Sequence, residues 1–400
     1  MGIKLHETVE GSIAGMDKDG SGVIERAGRK RILVPNTLPG ESVSATVMRR
    51  TKQGMQARLE RVIEPSPDRV APHCPYTGTC GGCKWQHAAY ARQLSLKHDL
   101  ILQAFAERNI GLPLGDIVGC PDPFYYRNRM DYVFGANGAL GLKEAGRWWS
   151  VLDLSTCFLL SPASVEILER TRVWSRGTGL PFWNMKTHEG FFRYLVIREG
   201  KNSGQRLVTL VTHEPPDSAA EVLLQALPKA LGDLATSVVW GINPRITDVS
   251  VAERIIPLKG NPWLEETVNG LRYRIAPNSF FQTNTTMAGV LQNAVKTTCG
   301  DVSDKTVLDL YCGAGFLTLA LGPAKRLIGI EIDADAIEAA KTNAALNDVQ
   351  AEFHASKAEV FDWIGIRPDV VVLDPPRAGL HPSVLETLRG ALPPSLIYIT

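Results

Sequence analysis

The sequence lacks an apolar run long enough to span a membrane, and no apolar signal-peptide core follows its first residues. It also lacks a dominant charge, because 43 Lys and Arg residues are balanced by 42 Asp and Glu residues. A net charge of +1 gives no electrostatic argument for a polyanionic partner. We therefore expect a cytoplasmic globular protein without a membrane partner. Its 400 residues are enough for two or three domains.

The seven cysteines do not suit a disulfide framework, because their number is odd and no export signal is present. Cys74, Cys80 and Cys83 lie within ten residues, in a loop that contains two adjacent glycines. Three thiolates at this spacing can converge on one metal centre, and Cys157 is the best candidate for a fourth ligand. Four thiolates suit either zinc or an iron–sulfur cluster, and the spacing does not distinguish the two. Three unrelated thiols are the alternative.

The dinucleotide fingerprint Gly-x-Gly-x-x-Gly is also missing, since Thr318 stands where the third glycine belongs. Residues 307–316 nevertheless predict a buried strand, a turn with Gly313 and Gly315, and the start of a helix. A second apolar run ends at Glu331, whose carboxylate can accept hydrogen bonds from ribose hydroxyls. The pattern favours S-adenosylmethionine, which has a ribose but no pyrophosphate, over a nicotinamide cofactor.

The last third of the chain alternates apolar strands with helices, which predicts a parallel, doubly wound sheet. Asp374 follows one of these strands in the sequence Asp-Pro-Pro-Arg, so we expect it at the ligand-binding edge of the sheet. The predicted strands are 306–311, 327–331, 351–355, 369–373 and 396–400. The predicted helices are 285–298, 315–322, 333–347 and 381–390.

The first 62 residues alternate short apolar runs with turn signals, which predicts a small β-barrel of the OB type. Arg49, Arg50 and Lys52 would lie near one rim of this barrel, where they could contact phosphates or form a solvated hairpin. A proline-rich linker begins at Glu64. Mixed strands and helices follow, including a helix near 87–109 and another near 217–231.

Several segments together resemble the RNA uracil-C5 methyltransferases. They are Asn278–Asn284, Asp309–Gly315, Ile330–Glu331, Asp374–Arg377 and the three-cysteine loop. The front of the chain resembles a TRAM domain, an RNA-binding barrel. A TRAM domain combined with a cysteine loop is similar to the branch that methylates 23S rRNA. Methylation of a tRNA uridine is the alternative.

The resemblance implies three domains. These are a TRAM-like RNA-binding barrel at 1–62, a mixed α/β middle domain with an iron–sulfur loop at 63–265, and a Rossmann-like class I methyltransferase sheet at 266–400. The expected substrate is RNA, and we expect a monomer.

The resemblance also implies the site residues. Gln282, Tyr311, Glu331 and Asp374 would contact S-adenosylmethionine, and Cys74, Cys80, Cys83 and Cys157 would hold a [4Fe-4S] cluster. Other roles stay open at this point. Gln282 could cap the following helix, and Tyr311 and Cys312 could serve packing alone. Arg127 and Arg129 could grip phosphate or form structural ion pairs.

Methylation at carbon 5 of uracil requires a thiolate that adds to carbon 6 and turns the ring into an enolate. The family places this cysteine directly after a strand of the form Tyr-x-Ser/Thr, which Tyr398–Thr400 matches. We therefore expect the nucleophile immediately after Thr400, outside the sequence. A radical methylthiotransferase is disfavoured by the cysteine spacing. A non-catalytic RNA-binding or assembly protein is the alternative if no cysteine follows.

Overall fold

A computed structural model describes residues 4–28, 30–111 and 113–400. Its described residues form two compact units. The first contains the chain up to Pro123 together with Ala139–Phe158, and the second contains Phe124–Gly138 and Leu159–Thr400. The three domain boundaries expected from the sequence stay a prediction. Among the described helices, none is both long enough and apolar enough to cross a membrane.

The first unit begins with a six-stranded sheet of order β1-β5-β6-β4-β3-β2. Its strands are β1 Thr8–Ser12, β2 Gly15–Met16, β3 Gly22–Ile24, β4 Ile32–Val34, β5 Ser42–Arg50 and β6 Met55–Glu64. All pairs are antiparallel except β4 with β6. Aliphatic residues at alternating positions form its core, for example Val43, Ala45 and Val47 on β5. Closure of this sheet into an OB barrel stays a prediction.

A helix and a hairpin complete the first unit. Helix α1 spans Tyr90–Ala106, within the segment predicted to be helical. After strand β7 (Arg129–Phe134), which belongs to the second unit, strands β8 (Leu140–Glu144) and β9 (Arg147–Asp153) form an antiparallel hairpin. The sequence analysis did not predict this hairpin.

The second unit contains a sheet whose strands follow the order β13-β12-β11-β10-β7. Its further elements are α2 Pro162–Gly177, β10 Phe192–Glu199, β11 Arg206–Thr212, α3 Ser218–Leu224, α4 Leu227–Leu231, β12 Ser237–Ile242 and β13 Arg254–Lys259. The predicted helix near 217–231 is divided into α3 and α4. Pro228 explains the division, because proline is tolerated in the first turn of a helix and not in its interior.

The rest of the second unit is a hairpin, a helix and a five-stranded parallel sheet of order β18-β17-β16-β19-β20. The hairpin and helix are β14 Leu264–Val268, β15 Leu271–Ile275 and α5 Thr285–Cys299. The sheet region contains β16 Thr306–Leu310, α6 Phe316–Ala320, β17 Arg326–Glu331, α7 Ala334–Leu346, β18 Glu352–Ala355, β19 Val370–Leu373, α8 Pro382–Gly390 and β20 Ser395–Tyr398. The predicted β-α-β alternation is confirmed here.

The parallel sheet is buried on both faces. Leu308, Ile328 and Val371 belong to one apolar cluster, whereas their sequence neighbours Val307 and Leu327 belong to another. This alternation places helices on both sides of the sheet, as a doubly wound fold requires.

The strand order places the ends of three strands together. Strand β17, the next strand in the chain, pairs with one side of β16, and β19 pairs with the other side of β16. The carboxyl ends of β16 and β19 therefore border the point where the strand order reverses, which is where such sheets bind ligands. The glycine turn after β16, Glu331 at the end of β17 and Asp374 after β19 all lie at this edge.

Candidate cofactor site and cysteine loop

The glycine turn reverses the chain between β16 and α6. Tyr311, Gly313 and Gly315 have φ values of 69°, 53° and 81°, so every second residue is in the left-handed region. Glycine adopts this region without steric cost, which explains the two glycines. Tyr311 adopts it as a non-glycine residue, a local strain that is typical of functional sites.

Buried side chains hold the carbonyl groups of this turn in place. Asn343 on α7 donates from Nδ2 to the carbonyl of Ala314 at 3.1 Å. Gln292 on α5 donates from Nε2 to the carbonyl of Phe316 at 2.9 Å. The Tyr273 hydroxyl donates to the same carbonyl at 3.2 Å. Because Asn343 and Gln292 are almost fully buried, the turn is fixed by the core of the domain.

Glu331 is held by the main chain on both of its carboxylate oxygens. Oε2 accepts from the Gly313 amide at 3.2 Å, and Oε1 accepts from the amides of Ile332 and Asp333 at 2.7 and 3.0 Å. A carboxylate has about four acceptor positions. Glu331 is therefore oriented beside the glycine turn and retains capacity to accept from a ligand hydroxyl.

Asp309 is a buried acid that the sequence analysis did not select as a site residue. Its Oδ2 accepts from the Thr318 hydroxyl at 2.6 Å, and within the described residues its buried Oδ1 has no hydrogen-bond partner. Burial is the main cause that raises the pKa of Asp309 to about 7, and the negative charges of Asp374 and Glu331 contribute to this shift. A signal was present in the sequence, since Asp309 lies within a buried strand directly before the turn.

Gln282 and Asp374 meet across this edge. The Nε2 atom of Gln282 donates to Oδ2 of Asp374 at 3.4 Å, and burial raises the pKa of the Asp374 carboxyl. Gln282 does not cap the helix that follows it. The N-cap of α5 is Asn284, whose side chain accepts from the Met287 amide. The alternative role of Gln282 as a helix cap is therefore wrong.

Two neighbouring aromatic residues in the same loop have opposite environments. Phe281 is buried and lies against the rings of Tyr273 and Phe316. Phe280 is 72% exposed, two residues before Gln282. An exposed aromatic ring beside a polar pocket offers a flat surface to a planar ligand. The sequence alone did not show which of the two rings would be exposed.

Cys312 lies within the glycine turn and does not supply a thiolate. Its side chain is buried, and burial raises the pKa of its thiol far above the ordinary value. A thiol that stays protonated is a poor nucleophile. A packing role for Cys312 agrees with this environment. The Tyr311 side chain is half-buried against the apolar cluster that contains Leu310.

The cysteine loop is joined to the β8–β9 hairpin by main-chain hydrogen bonds. The Gly81 amide donates to the carbonyl of Lys143 at 3.0 Å, and the Ala145 amide donates to the carbonyl of Thr79 at 2.8 Å. The Tyr76 hydroxyl accepts from the Ser155 amide at 3.0 Å. These bonds attach the loop to the segment that leads into Cys157.

The four cysteine side chains interact electrostatically. The pKa of Cys80 is raised, mainly by burial and further by the charges of Cys83, Cys157 and Cys74. The four cysteines therefore lie in one region of the first unit. Among the residues that the structure describes, however, no three His, Cys, Asp or Glu side chains are placed closely enough to hold a metal ion. Cysteine thiolates are suitable ligands for a metal centre, whereas the positions of these side chains do not form a closed coordination site.

The two arginines of the Arg-Asn-Arg segment have different surroundings. Arg129 forms an ion pair with Asp131 at 2.7 Å and also donates to the Ser250 hydroxyl. Arg129 therefore forms the structural ion pair that was expected as the alternative to phosphate binding. Arg127 pairs through its main chain with Asn284, the helix cap next to Gln282. Arg49 and Arg50 are exposed at the end of β5.

Replacing Asp309 with Asn should change how stability depends on pH. The folded carboxyl holds its proton up to about pH 7, whereas a carboxyl in an unfolded chain loses it near pH 3.8. Wild-type unfolding therefore releases a proton between these values. As the pH rises through this range, the free energy of unfolding of the wild type should therefore fall by about 1.4 kcal/mol per pH unit relative to that of Asp309→Asn. Denaturant titrations of both proteins from pH 4 to 8 measure this difference.

Thr318→Val is the companion variant for this experiment. It removes the hydroxyl that favours the ionised form of Asp309, so the pH-dependent range should extend above pH 7. If the free energies of unfolding of the wild type and of Asp309→Asn changed in parallel with pH, the raised pKa of Asp309 would be contradicted.

The comparisons with known proteins agree with this geometry. A family model described as tRNA (Uracil-5-)-methyltransferase matches residues 203–400. The TRAM domain model of tRNA (uracil(54)-C(5))-methyltransferase matches residues 9–67, which confirms the predicted TRAM domain. An uncharacterised RNA methyltransferase of Nanoarchaeum equitans is 35% identical over 97% of this chain and 83% of its own.

Two Pyrococcus proteins have named substrates. The tRNA (uracil(54)-C(5))-methyltransferase of Pyrococcus furiosus is 35% identical, over 98% of this chain and 90% of its own. The crystal structure of the Pyrococcus abyssi tRNA (uracil-54, C5)-methyltransferase in complex with S-adenosyl-L-homocysteine matches with a TM-score of 0.79 and 31% identity. It covers 97% of this chain and 89% of that chain.

These relatives correct one expectation and confirm others. The 23S rRNA branch is not supported, because the relatives with a named substrate act on tRNA. The class I methyltransferase fold and the use of S-adenosylmethionine are supported by the solved relative, which holds the product of that cofactor. The chain belongs to the family of S-adenosylmethionine-dependent RNA (uracil-5-)-methyltransferases.

Proposed function

We propose that this protein methylates carbon 5 of uridine 54 in tRNA. The names of the Pyrococcus relatives, which match almost the whole chain, carry this proposal. Two features of the chain agree with an RNA substrate: the N-terminal TRAM match and the exposed Phe280, two residues before Gln282. The branch that modifies 23S rRNA has no comparable support.

Glu331, Gln282, Asp374 and Tyr311 are proposed to bind the cofactor. Glu331 accepts hydrogen bonds from the ribose hydroxyls, since its carboxylate is already oriented by three main-chain amides. Bound S-adenosylmethionine supplies an electrophilic methyl group on a positively charged sulfur. The acidic side chains of Glu331 and Asp374 give the pocket a negative potential, which favours a cationic ligand over its neutral product.

The target base is proposed to lie against Phe280. A uridine must leave its stack to enter a pocket, and a flipped base is commonly stacked on an aromatic side chain. Gln282 and Asp374 then present an amide and a carboxyl near the edge of such a ring, where they can hydrogen-bond its polar atoms.

Cys74, Cys80, Cys83 and Cys157 are proposed to hold a [4Fe-4S] cluster. Support comes from the donor chemistry, from the location of the four cysteines in one unit, and from the hydrogen bonds that attach the loop to the hairpin before Cys157. The role of such a centre would be to fasten the loop to the hairpin. The cytoplasmic location and the monomeric state stay predictions.

The substrate proposal is tested with unmodified transcripts. The full-length protein is incubated with methyl-labelled S-adenosylmethionine and tRNA, tRNA with U54 changed to C, or a 23S rRNA transcript. We expect label only in the first RNA, together with release of tritium from carbon 5 of labelled uridine. Label in 23S rRNA alone would contradict the tRNA proposal, and RNA binding without any transfer would support a non-catalytic role.

The cofactor residues are tested by calorimetry with S-adenosylmethionine. Glu331→Gln and Asp374→Asn each replace a charged acceptor, so each should weaken binding by about tenfold or more. Glu338→Gln is the control, because Glu338 is exposed and pairs with Lys341 on the surface of α7. Unchanged affinity in both site variants would refute their placement.

The cluster is tested by anaerobic purification. We expect brown protein with broad visible absorption, and equal amounts of iron and acid-labile sulfide. Cys157→Ser should lose the colour, whereas Cys120→Ser, outside the loop, should keep it. Colourless protein with stoichiometric zinc, or with no bound metal, would contradict the iron–sulfur proposal.

A further inference from the structure

The loop before α5 is held by donors from outside the methyltransferase sheet. Four carbonyl groups of the loop accept hydrogen bonds from residues that lie more than 70 positions earlier in the chain. They belong to Pro277, Ser279, Gln282 and Thr283. The loop carries Gln282, which meets Asp374, and the exposed Phe280. Its main-chain path therefore decides where both side chains lie.

Asn128 binds the main chain of Gln282 itself. Its Nδ2 atom donates to the Gln282 carbonyl at 2.7 Å and to the Thr285 hydroxyl at 2.9 Å. Its main-chain amide donates to the Thr283 carbonyl at 2.8 Å. Both hydrogens of the side-chain amide are thus used, and the amide orientation is fixed.

Asn128 is itself held rigidly. It is 5% exposed, and its carbonyl accepts from the Glu199 amide at 2.8 Å, which fastens it to β10. In the part of the chain that the structure describes, its buried Oδ1 has no hydrogen-bond partner. Leaving a buried acceptor unsatisfied costs free energy. The position of Asn128 therefore satisfies both donor hydrogens of its side-chain amide, at a cost in free energy for its unsatisfied acceptor oxygen.

Arg198 binds the first half of the same loop. Its guanidinium is almost fully buried at the end of β10 and donates to the carbonyls of Ser279 and Pro277. A buried cation is stabilised by carbonyl dipoles that converge on it. Asn128 and Arg198 together hold the loop on both sides of Phe280.

The hydrogen bond between Gln282 and Asp374 is long, at 3.4 Å, so it is sensitive to small displacements. Rotation of the Gln282 peptide by loss of its carbonyl partner would move the side-chain amide away from Asp374. A site that is 1 Å out of position loses much of its binding free energy.

We propose that Asn128 is a positioning residue, which sets the place of Gln282 through its main-chain carbonyl and thereby determines affinity for the cofactor. This inference rests on the proposed role of Gln282 in cofactor binding. Arg198 acts in the same way on the preceding half of the loop. Neither residue contacts the cofactor.

A double-mutant cycle tests the inference by calorimetry with S-adenosylhomocysteine. Asn128→Ala should weaken binding by about tenfold, and Gln282→Ala should weaken it by at least as much. Because Asn128 acts through Gln282, the double variant should bind as weakly as Gln282→Ala alone. The affinity of Asn128→Ser, a smaller change, should lie between those of the wild type and Asn128→Ala. This variant keeps the test possible if the alanine variant folds poorly.

Asn243→Ala is the matched control. Asn243 is also buried, and its Nδ2 atom also donates two hydrogen bonds, in this case to the main-chain carbonyls of Val249 and Val251. It should lose comparable thermal stability and retain wild-type affinity. Equal loss of affinity in this control would show that the effect is general destabilisation, which overturns the proposal.

Two further results would overturn the positioning role of Asn128, and they can be distinguished from each other. If Gln282→Ala weakens binding and Asn128→Ala adds an independent loss or has no effect, the positioning role is wrong while the proposed cofactor role of Gln282 stands. If Gln282→Ala itself leaves the affinity unchanged, that cofactor role is wrong and the inference fails with it.

Discussion

The parallel order β18-β17-β16-β19-β20 is the constraint on which the site depends. It places the ends of β16, β17 and β19 at one edge, although Asp309, Glu331 and Asp374 are far apart in the sequence. Burial is the main cause of the pKa of about 7 for Asp309, and the negative charges of Asp374 and Glu331 at the same edge contribute to it. A cationic ligand would reduce this repulsion. We propose that the sheet, by placing these acidic groups together, also creates a preference for a positively charged cofactor.

Around this edge, buried amide side chains fix main-chain carbonyls. Asn343 and Gln292 hold the glycine turn, and Asn128 holds the loop with Gln282. Each is almost fully buried, so its orientation is determined by the packing around it. Such preorganisation lowers the cost of ordering the site when a ligand binds. It also explains why residues without a proposed ligand contact matter for the site.

The sequence predicted the parallel sheet well because each strand and helix has a strong local pattern, and the turn at Gly313 and Gly315 has its own signature. It did not predict helix α2 or the β8–β9 hairpin, whose periodicity is weaker. The roles of Asp309 and Asn128 depend on contacts with Thr318 and Gln282 that only the folded chain shows. The proposed tRNA substrate rests on the relatives, since neither composition nor spacing carries information about the target RNA.

We propose that the cofactor lies at the carboxyl edge, between the glycine turn, Glu331 and the pair Gln282–Asp374. A crystal structure of this chain with S-adenosylhomocysteine bound tests this placement. We expect ribose hydroxyls within hydrogen-bond distance of the Glu331 carboxylate, and the sulfur on the side of Gln282 and Asp374. Density for the ligand elsewhere on the sheet, or a ribose turned away from Glu331, would contradict it.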